Sequence, residues 1–199
     1  MKLIENEVRT DNSKIKDVFQ DLKFSEEDIK IIESLMHKMT FKKGVHIIKA
    51  GDLVSNMYFI YEGCLRTYYL DTSGKEHTIQ FGIKDWWITD YTAFFLDSKA
   101  ILNLEVLKDA IVYRLSKTDR ELLYAKVPKI ESFIRKKLER AYANFQKRIL
   151  TNLSQTAAEG YVKFINEYPN IEKMVKNYHI ASYLGITTQS LSRIRKDLS

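Results

Sequence analysis

The chain has 199 residues, 45% of them hydrophobic, and a formal net charge of +6, which suits one large or two small globular domains and argues against a disordered or fibrous protein. Cys64 is the only cysteine, so an internal disulfide framework is excluded and a reducing, cytoplasmic compartment is expected. No apolar run has the length of a signal-peptide core or a membrane span, so we expect no membrane partner. The positive charge favours an anionic partner without requiring one.

The first two thirds of the chain change from helical to β periodicity. Apolar residues at steps of three and four predict helix over residues 12–39, interrupted near "FSEED", where Ser25 suits a helix N-cap. From Gly44 to Leu115, the segments "VHIIKAGD", "MYFIYEGCLRTYYL", "EHTIQFG" and "AIVYRLS" are rich in β-branched and aromatic residues and are separated by turns. Short strands at this spacing predict a compact β-roll or barrel.

A long helix is predicted next. After the short helical segment "TDRELLYAKVP", Pro128 suits a helix start, and helical spacing then continues for about 23 residues. Its apolar positions are Ile130, Phe133, Ile134, Leu138, Ala141, Tyr142, Phe145 and Ile149. This stripe fits packing against the chain's own β domain as well as a seam between two copies of the chain, and periodicity does not decide between them.

Residues 179–199, "HIASYLGITTQSLSRIRKDLS", have the spacing of two short helices joined at Gly185. The predicted buried positions are Ile180, Ala181, Leu184, Leu191, Ile194 and Leu198. A small residue, a glycine four positions later and apolar residues six and nine positions beyond it are typical of a helix-turn-helix. An αα-hairpin used only for packing would share the apolar spacing.

The second of these helices would expose hydrogen-bonding and cationic side chains, which suit base edges and phosphates. The predicted DNA-binding residues in this segment are Thr187, Thr188, Gln189, Ser190, Ser192, Arg193 and Lys196. Thr187 also suits the N-cap of the helix. This polar face favours DNA binding over a hairpin used only for packing.

The order of these elements resembles the Crp/Fnr family of bacterial transcription regulators. The local sequences that carry the resemblance are "IIKAGDLVSNMYFIYEGCLRTYYLDTSGKEHTIQF" and "IASYLGITTQSLSRIRK", and it covers roughly residues 15 to 199. The resemblance implies a ligand pocket in the roll, DNA binding at the C-terminus with Arg193 as a base-reading residue, and RNA polymerase as a partner. It also implies a homodimer joined through the long helix, with the interface residues Ile130, Ile134, Leu138, Ala141, Phe145 and Ile149.

The presumed ligand segment departs from the family pattern. Thr89-Asp90 stand where cyclic-nucleotide-binding members carry Gly-Glu, and Ser98-Lys99 stand where those members carry Arg-Ser or Arg-Thr. These changes remove close backbone approach and a bidentate clamp for a phosphate, so cyclic AMP is not expected to bind and no cofactor is expected. The candidate pocket residues are Trp87, Thr89, Asp90, Tyr91 and Lys99, although the aromatic residues also fit an ordinary core.

Other sites are poorly matched by the sequence. Cys64 alone does not provide the cysteines of an iron–sulphur cluster, and whether it has a redox role is left open. The histidines lack metal-ligand spacing, and no catalytic motif is present, so we expect no metal and no enzyme. The link "EYPNIEKMVKNYHIA" leaves little room for a DNA-contacting wing, so phosphate anchoring is assigned to Lys176, Tyr178, Arg195 and Lys196.

The resulting hypothesis is an α+β protein: an antiparallel β-roll of the cyclic-nucleotide-binding type with flanking helices, a dimerisation helix and a small helix-turn-helix domain with a reduced or absent wing. The predicted domains are an effector-sensing roll at 1–127, a dimerisation helix and linker at 128–152 and a DNA-binding domain at 153–199. The predicted function is an effector-sensing homodimer that binds double-stranded DNA at an inverted repeat. A dimeric roll whose terminal helices bind a protein partner is the alternative.

Overall fold

The computed structural model describes residues 14–19 and 22–198, except for the side chain of Asn152. Within it the chain divides into two compact units. One unit contains the residues up to Thr67 together with Phe81–Arg135, and the other contains Tyr68–Gln80 together with Lys136–Ser199. Residues 12 and 13, where the first helix is predicted to begin, and the rest of 1–13 lie outside the described residues. The domain limits 1–127, 128–152 and 153–199 stay a prediction.

The helical elements of the described chain occur at its two ends and once inside the β region. They are, in chain order, a 3₁₀ helix at Ile15–Phe19, α1 at Glu26–Leu35, α2 at Tyr91–Leu96, α3 at Lys117–Lys126, α4 at Pro128–Ser154, α5 at Ala157–Glu167, a second 3₁₀ helix at Ile171–Lys173, α6 at Asn177–Leu184 and α7 at Thr188–Asp197. Helix α4 has 27 residues and therefore continues past the predicted length. None of the described helices is long and apolar enough to cross a membrane.

The six strands of the described chain belong to one sheet. They are β1 at His37–Phe41, β2 at His46–Ile48, β3 at Asn56–Leu70, β4 at Glu76–Gly82, β5 at Trp87–Ile88 and β6 at Asn103–Ser116. The main path of the sheet is β1-β6-β3-β4, while β2 also pairs with β6 and β5 with β3. Strand β6 pairs antiparallel with both β1 and β2. The predicted antiparallel roll with flanking helices is confirmed.

Two local predictions near the N-terminus have different outcomes. The predicted helix start at Ser25 is confirmed, because its hydroxyl accepts the N–H of Asp28 at 3.1 Å and the Asp28 carboxylate accepts the N–H of Ser25 at 3.0 Å, forming a capping box. The spacing around Met39 predicts helix, and this prediction is wrong. Met39 lies in β1 opposite Val112, because pairing with a strand far along the chain overrides local periodicity.

A largely buried charge pair lies among apolar side chains in the interior of the roll. Arg66 of β3 is 2% exposed, and its Nε donates to Oε2 of Glu105 in β6 at 2.8 Å. Gly63 lies on the same strand with φ 106°, and an added Cβ would come within 2.6 Å of the Cα of Ala110. The sequence "YEG" lies within β3, and its glycine permits a close approach between β3 and β6 that a residue with a Cβ would block.

Candidate nucleic-acid interface

The turn between α6 and α7 has the geometry that the sequence predicts. Gly185 has φ 69°, a left-handed conformation that glycine adopts without steric cost. The N–H of Ile186 donates to the carbonyl of Ala181 at 3.0 Å, and the N–H of Gly185 donates to the carbonyl of Ser182 at 3.2 Å. These two bonds form a Schellman motif, which ends α6 and redirects the chain.

The apolar face of the helix pair is largely confirmed. Ile180, Ala181 and Leu191 are buried, and Ile194 is half-buried. The prediction that Leu198 is buried is wrong, since it is 53% exposed and follows the last helical residue, Asp197. The core between α6 and α7 therefore ends before the last predicted apolar position.

The first turn of α7 is capped by hydroxyl groups. The Thr187 hydroxyl accepts the N–H of Ser190 at 3.1 Å, which confirms the predicted N-cap. The hydroxyls of these two residues are also 3.0 Å apart. Both side chains therefore have structural partners, and their predicted DNA contacts stay a prediction.

The solvent-facing side of α7 carries the predicted reading residues. Exposed side chains on this helix include Thr188, Gln189, Ser192, Arg193 and Lys196. Because each residue of an α-helix is rotated by about 100° from the last, Gln189 and Arg193 lie about 40° apart. Within residues 14–19 and 22–198 we find no hydrogen bond or ion pair to the Arg193 guanidinium or the Lys196 ammonium. The two cations are therefore accessible to an anionic partner.

Two predicted phosphate-binding residues lie beside the start of α6. Lys176 precedes the helix, and its side chain makes no capping bond. Its Nζ lies 5.6 Å from the ring centre of Tyr178, and both residues are exposed. The structure thus brings these two predicted residues together.

Arg195 does not fit the role of a free phosphate contact. Its Nε donates to the Tyr161 hydroxyl at 3.2 Å and its Nη1 to Oδ1 of Asn177 at 2.8 Å. Its Nη2 forms an ion pair with Glu172. All three guanidinium nitrogens are therefore engaged within the chain. This network favours a structural role for Arg195, and its assignment to DNA phosphate stays a prediction.

The second unit also contains the outer part of the β3–β4 hairpin. No local sequence pattern indicates that this hairpin contacts the C-terminal helices. The Ser182 hydroxyl of α6 donates to the carbonyl of Glu76 at 2.7 Å and accepts the N–H of Thr78 at 2.9 Å. Arg148 of α4 donates to the carbonyl of Ile79, and its guanidinium lies 4.7 Å from the ring centre of Tyr183. The outer part of the β3–β4 hairpin is thereby held to α4 and α6.

We expect Ser182→Ala to loosen the hairpin, because it removes the hydroxyl that accepts the N–H of Thr78. An unsatisfied buried donor costs about 1–3 kcal/mol, which corresponds to roughly 5- to 150-fold faster amide exchange at Thr78 by local opening. Native-state hydrogen exchange followed by NMR measures this change. Ser192→Ala is the control, because that exposed hydroxyl donates to the carbonyl of Thr188 within its own helix. Equal protection of Thr78 in wild type and Ser182→Ala would contradict the expectation.

Helix α4 carries an exposed apolar stripe in its second half, beyond Arg135. We define the α4 stripe as Leu138, Ala141, Phe145 and Ile149. Leu138 is half-buried and the other three are exposed; Phe145 is 45% exposed and Ile149 43%. Nothing in the described chain covers this stripe fully, so it is available to a partner.

The first half of the predicted dimer interface is corrected. Ile130 and Ile134 are 0% and 1% exposed within the single chain. This part of α4 packs on the N-terminal helices, where Phe133 and Phe19 have ring centres 5.5 Å apart. The packing interpretation of the long helix therefore holds for its first half, and the seam between two copies stays a prediction for the second half.

The candidate ligand residues of the roll are mostly engaged with backbone groups. These residues are Trp87, Thr89, Asp90, Tyr91 and Lys99. The Thr89 hydroxyl donates to the carbonyl of Asn56 at 2.9 Å. The Asp90 carboxylate, 1% exposed, caps α2 by accepting the N–H of Ala93 and also accepts two N–H groups of residues 101 and 102. The Thr89 hydroxyl and the Asp90 carboxylate therefore offer no donor to the phosphate of a nucleotide, and the predicted pocket stays a prediction.

The remaining candidates differ in exposure. Tyr91 donates its hydroxyl to the carbonyl of Trp87 at 3.0 Å, and burial raises the pKa of Tyr91 above its usual range. Lys99 is exposed and pairs through its backbone with Leu53. The sequence does not predict helix α2, because its run of aromatic residues fits a pocket or a core equally well.

Redox and metal chemistry have little support among the described residues. Cys64 is 0% exposed, and burial raises its pKa to about 12, so the thiol is protonated at neutral pH and is a poor nucleophile. In the part of the chain that the structure describes, no group of three or more His, Cys, Asp or Glu side chains could hold a metal ion.

Comparison with known proteins agrees with this architecture. Residues 38–126 match the family model of the cyclic nucleotide-binding domain. An anaerobic regulatory protein from Pasteurella multocida (strain Pm70) is 23% identical, and the match covers 85% of this chain and 66% of that relative. The chain thus spans slightly less than two thirds of the relative's length. The chain is thus similar to the Crp/Fnr regulators, which are transcription factors and not enzymes.

Solved structures share the fold of this chain at low sequence identity. FixK2 from Bradyrhizobium japonicum superposes with a TM-score of 0.72 at 16% identity, covering 82% of this chain and 84% of its own. The c-di-GMP-responsive regulator CLP from Xanthomonas campestris gives a TM-score of 0.70 at 12% identity, covering 87% and 91%. A transcriptional regulator described as Crp/Fnr from Eubacterium rectale gives 0.66 at 17% identity, covering 89% and 83%. The predicted family resemblance is confirmed.

Proposed function

We propose that this protein is a sequence-specific DNA-binding transcription regulator that acts as an effector-sensing homodimer. The observation that carries the proposal is the exposed face of α7, where Gln189 and Arg193 lie one turn apart on a helix held by a Schellman turn and a Thr187 cap. The Pasteurella relative, an anaerobic regulatory protein, supports the proposal.

The side chains on this face have the chemistry of major-groove readout. Arg donates two parallel hydrogen bonds to guanine O6 and N7, and Gln can pair in the same way with adenine. Lys176, Tyr178 and Lys196 are exposed and supply phosphate contacts, which fix the register of the protein on the duplex. Between α5 and α6 the described chain contains a 3₁₀ helix and no strand, so this anchoring does not depend on a wing at that place.

The α4 stripe supports a homodimer. An exposed apolar row at steps of three and four on a helix buries well against a second copy of the same helix. Two copies related by a two-fold axis present two α7 helices, so the expected operator is an inverted repeat with half-sites about 34 Å apart, one turn of duplex. RNA polymerase is a further proposed partner, and the cytoplasm is the proposed location because the operator would be there.

The roll is proposed to sense an effector other than cyclic AMP. Three backbone N–H groups already bond to the Asp90 carboxylate, and Asp90 is 1% exposed, so it is poorly placed to accept a hydrogen bond from a ribose. The predicted clamp position carries Ser98-Lys99 in place of an arginine pair. The Xanthomonas relative responds to c-di-GMP, which supports ligand control as a general feature and does not identify the ligand here.

We therefore expect isothermal calorimetry to find no saturable cyclic AMP binding below about 10 μM, because several charge-assisted hydrogen bonds of about 1.5–3 kcal/mol each have no donor. Linear AMP is the control, because it detects unspecific attraction of any nucleotide to a chain of net charge +6. Tight binding of cyclic AMP, with no matching signal from AMP, would show that this part of the proposal is wrong.

The main test is selection from a pool of random duplexes with the purified full chain. We expect enrichment of one palindromic sequence, with an affinity that falls steeply with salt because bound counterions are released. Recovery of no sequence better than random DNA would overturn the regulator proposal. It would then favour the alternative in which the terminal helices bind a protein.

A further inference from the structure

The guanidinium of Arg195 is the centre of a closed polar network. Besides its bonds to Tyr161, Asn177 and Glu172, its carbon lies 5.7 Å from the ring centre of Tyr161. The hydroxyl of Tyr161 also donates to Oε1 of Glu172 at 2.6 Å. Each partner of Arg195 therefore belongs to a different element: α5, the second 3₁₀ helix and the start of α6.

The network is shielded from water on one side. Tyr161 is 5% exposed, whereas the side chains of Arg195 and Glu172 are 26% and 39% exposed. Burial raises the pKa of Tyr161, and the hydrogen bond to Glu172 raises it further, so the phenol stays protonated and can act as a donor. The geometry is thus that of a partly buried ion pair supported by charge-assisted hydrogen bonds to neutral side chains, which is more specific than a surface pair.

Helix periodicity places Arg195 on the packed side of α7. At about 100° per residue, Arg195 lies about 40° from the buried Leu191 and about 160° from Arg193. The guanidinium that reads bases and the guanidinium in the network therefore point to opposite sides of the helix. When α7 lies in the major groove with Arg193 facing the bases, Arg195 therefore points away from the base edges.

We infer that Arg195 is a positioning residue, which fixes α7 against α5, the second 3₁₀ helix and α6 so that Gln189 and Arg193 face the bases. The inference rests on the proposed function. It assigns to Arg195 and Glu172 a role in sequence discrimination, although neither touches DNA.

The two possible roles of Arg195 predict opposite effects of Glu172→Gln. If Arg195 contacted a phosphate, removal of the Glu172 carboxylate would release the guanidinium. It would also remove a negative charge near the negatively charged DNA, so affinity for DNA would rise. If Arg195 positions the helix, the network is weakened and affinity for the selected duplex falls. The sign of this one change separates the roles.

The experiment measures binding to the duplex enriched from the random pool and to a scrambled duplex of equal length, at several salt concentrations. We expect Arg195→Met to lower affinity for the enriched duplex about tenfold, and Glu172→Gln to lower it less, because charge-assisted bonds are replaced by weaker ones. Affinity for the scrambled duplex is expected to change little. The slope of log K against log salt concentration should be the same in the variants as in the wild type. Removal of a phosphate-binding cation would instead reduce its magnitude by about 0.9 per phosphate.

Two controls separate positioning from charge and from unfolding. Lys173→Met removes the same charge from an exposed position of the second 3₁₀ helix and should leave the ratio of the two affinities unchanged. A partly unfolded variant would lose affinity for both duplexes equally, and thermal unfolding followed by circular dichroism would detect it. The double variant Arg195→Met/Glu172→Gln should bind no more weakly than Arg195→Met alone, because both changes break one network.

The outcomes distinguish this inference from the proposed function. If no duplex is enriched, the regulator proposal fails and the inference fails with it. If a duplex is enriched and Glu172→Gln binds it more tightly, or Arg195→Met reduces the salt slope, only the positioning role is overturned. Additive losses in the double variant would also overturn it.

Discussion

Phe145→Asp is expected to convert the protein from a dimer into a monomer with half the mass, 23.4 kDa. Phe145 is 45% exposed in the centre of the α4 stripe, and a two-fold axis places it in the interface twice. Each copy would lose about 1.5–3 kcal/mol of apolar burial and would also have to desolvate a carboxylate. We expect dimer affinity to fall at least about 1,000-fold, or roughly 4 kcal/mol. Light scattering over a range of protein concentrations measures this change.

The matched control is Ala143→Asp, which introduces the same charge on the same helix. Ala143 is exposed and lies about 160° around the helix from Phe145, so this variant should remain dimeric. DNA affinity should fall with dimer formation, because a monomer binds only one half-site. If Phe145→Asp stays dimeric, or if both variants dissociate alike, the α4 stripe is not the dimer interface.

The helix-turn-helix could be predicted from sequence because its determinants are local. The left-handed turn at Gly185, the cap at Thr187 and the buried Leu191 all depend on residues within one or two helical turns. Local rules of this kind do not need knowledge of the rest of the fold. The same reason explains the correct starts of α1 at Ser25 and of α4 at Pro128.

The errors arise where distant segments decide the structure. The apolar spacing around Met39 fits a helix, but β6 lies alongside this segment and forms a strand with it. The stripe on α4 is continuous in the sequence, yet its first half, Ile130 and Ile134, is covered by the chain itself. Periodicity shows that a face is apolar and does not show what covers it.

Two features of the candidate interface are absent from the sequence-based hypothesis, for different reasons. The opposite placement of Arg193 and Arg195 follows from helix periodicity alone, so the structural role of Arg195 could have been inferred from its position. The contact of Ser182 with the hairpin could not, because a serine on a short helix gives no signal of a partner 104 residues away. Residues that position an element are thus harder to find than residues that line its exposed face.

The candidate pocket in the roll illustrates a further limit. The family pattern identifies where a nucleotide phosphate would bind, and the sequence shows that the required residues differ at Thr89 and Asp90. The structure adds that these two side chains hold backbone groups in place. The departure from the pattern therefore has a structural reason of its own, since Asp90 caps α2 and fixes the loop that follows that helix.

Arg193→Ala is expected to lower affinity for the selected operator by roughly 1–3 kcal/mol per half-site and to relax the preference at one base pair in each half-site. Arg193 is exposed on α7, one turn after Gln189, and its guanidinium can pair with guanine O6 and N7. A dimer carries the substitution twice, so the loss for the whole operator is about 2–6 kcal/mol if the half-sites are independent. Competition binding with every single-base variant of the operator measures both the affinity and the base preference.

Lys196→Ala is the control, because it also removes one exposed cation from α7 but is assigned to a phosphate. It should weaken binding to all duplexes alike and reduce the salt slope by about 0.9 for each phosphate that is no longer neutralised, without changing the preferred base. Arg193→Ala should instead bind every base at its position with similar affinity, because the bidentate bonds to one of them are gone. If Arg193→Ala kept the wild-type preference while Lys196→Ala abolished it, the reading face of α7 would be rotated about 60° towards Lys196. If neither variant changed affinity or preference, α7 would not be the helix that reads the operator.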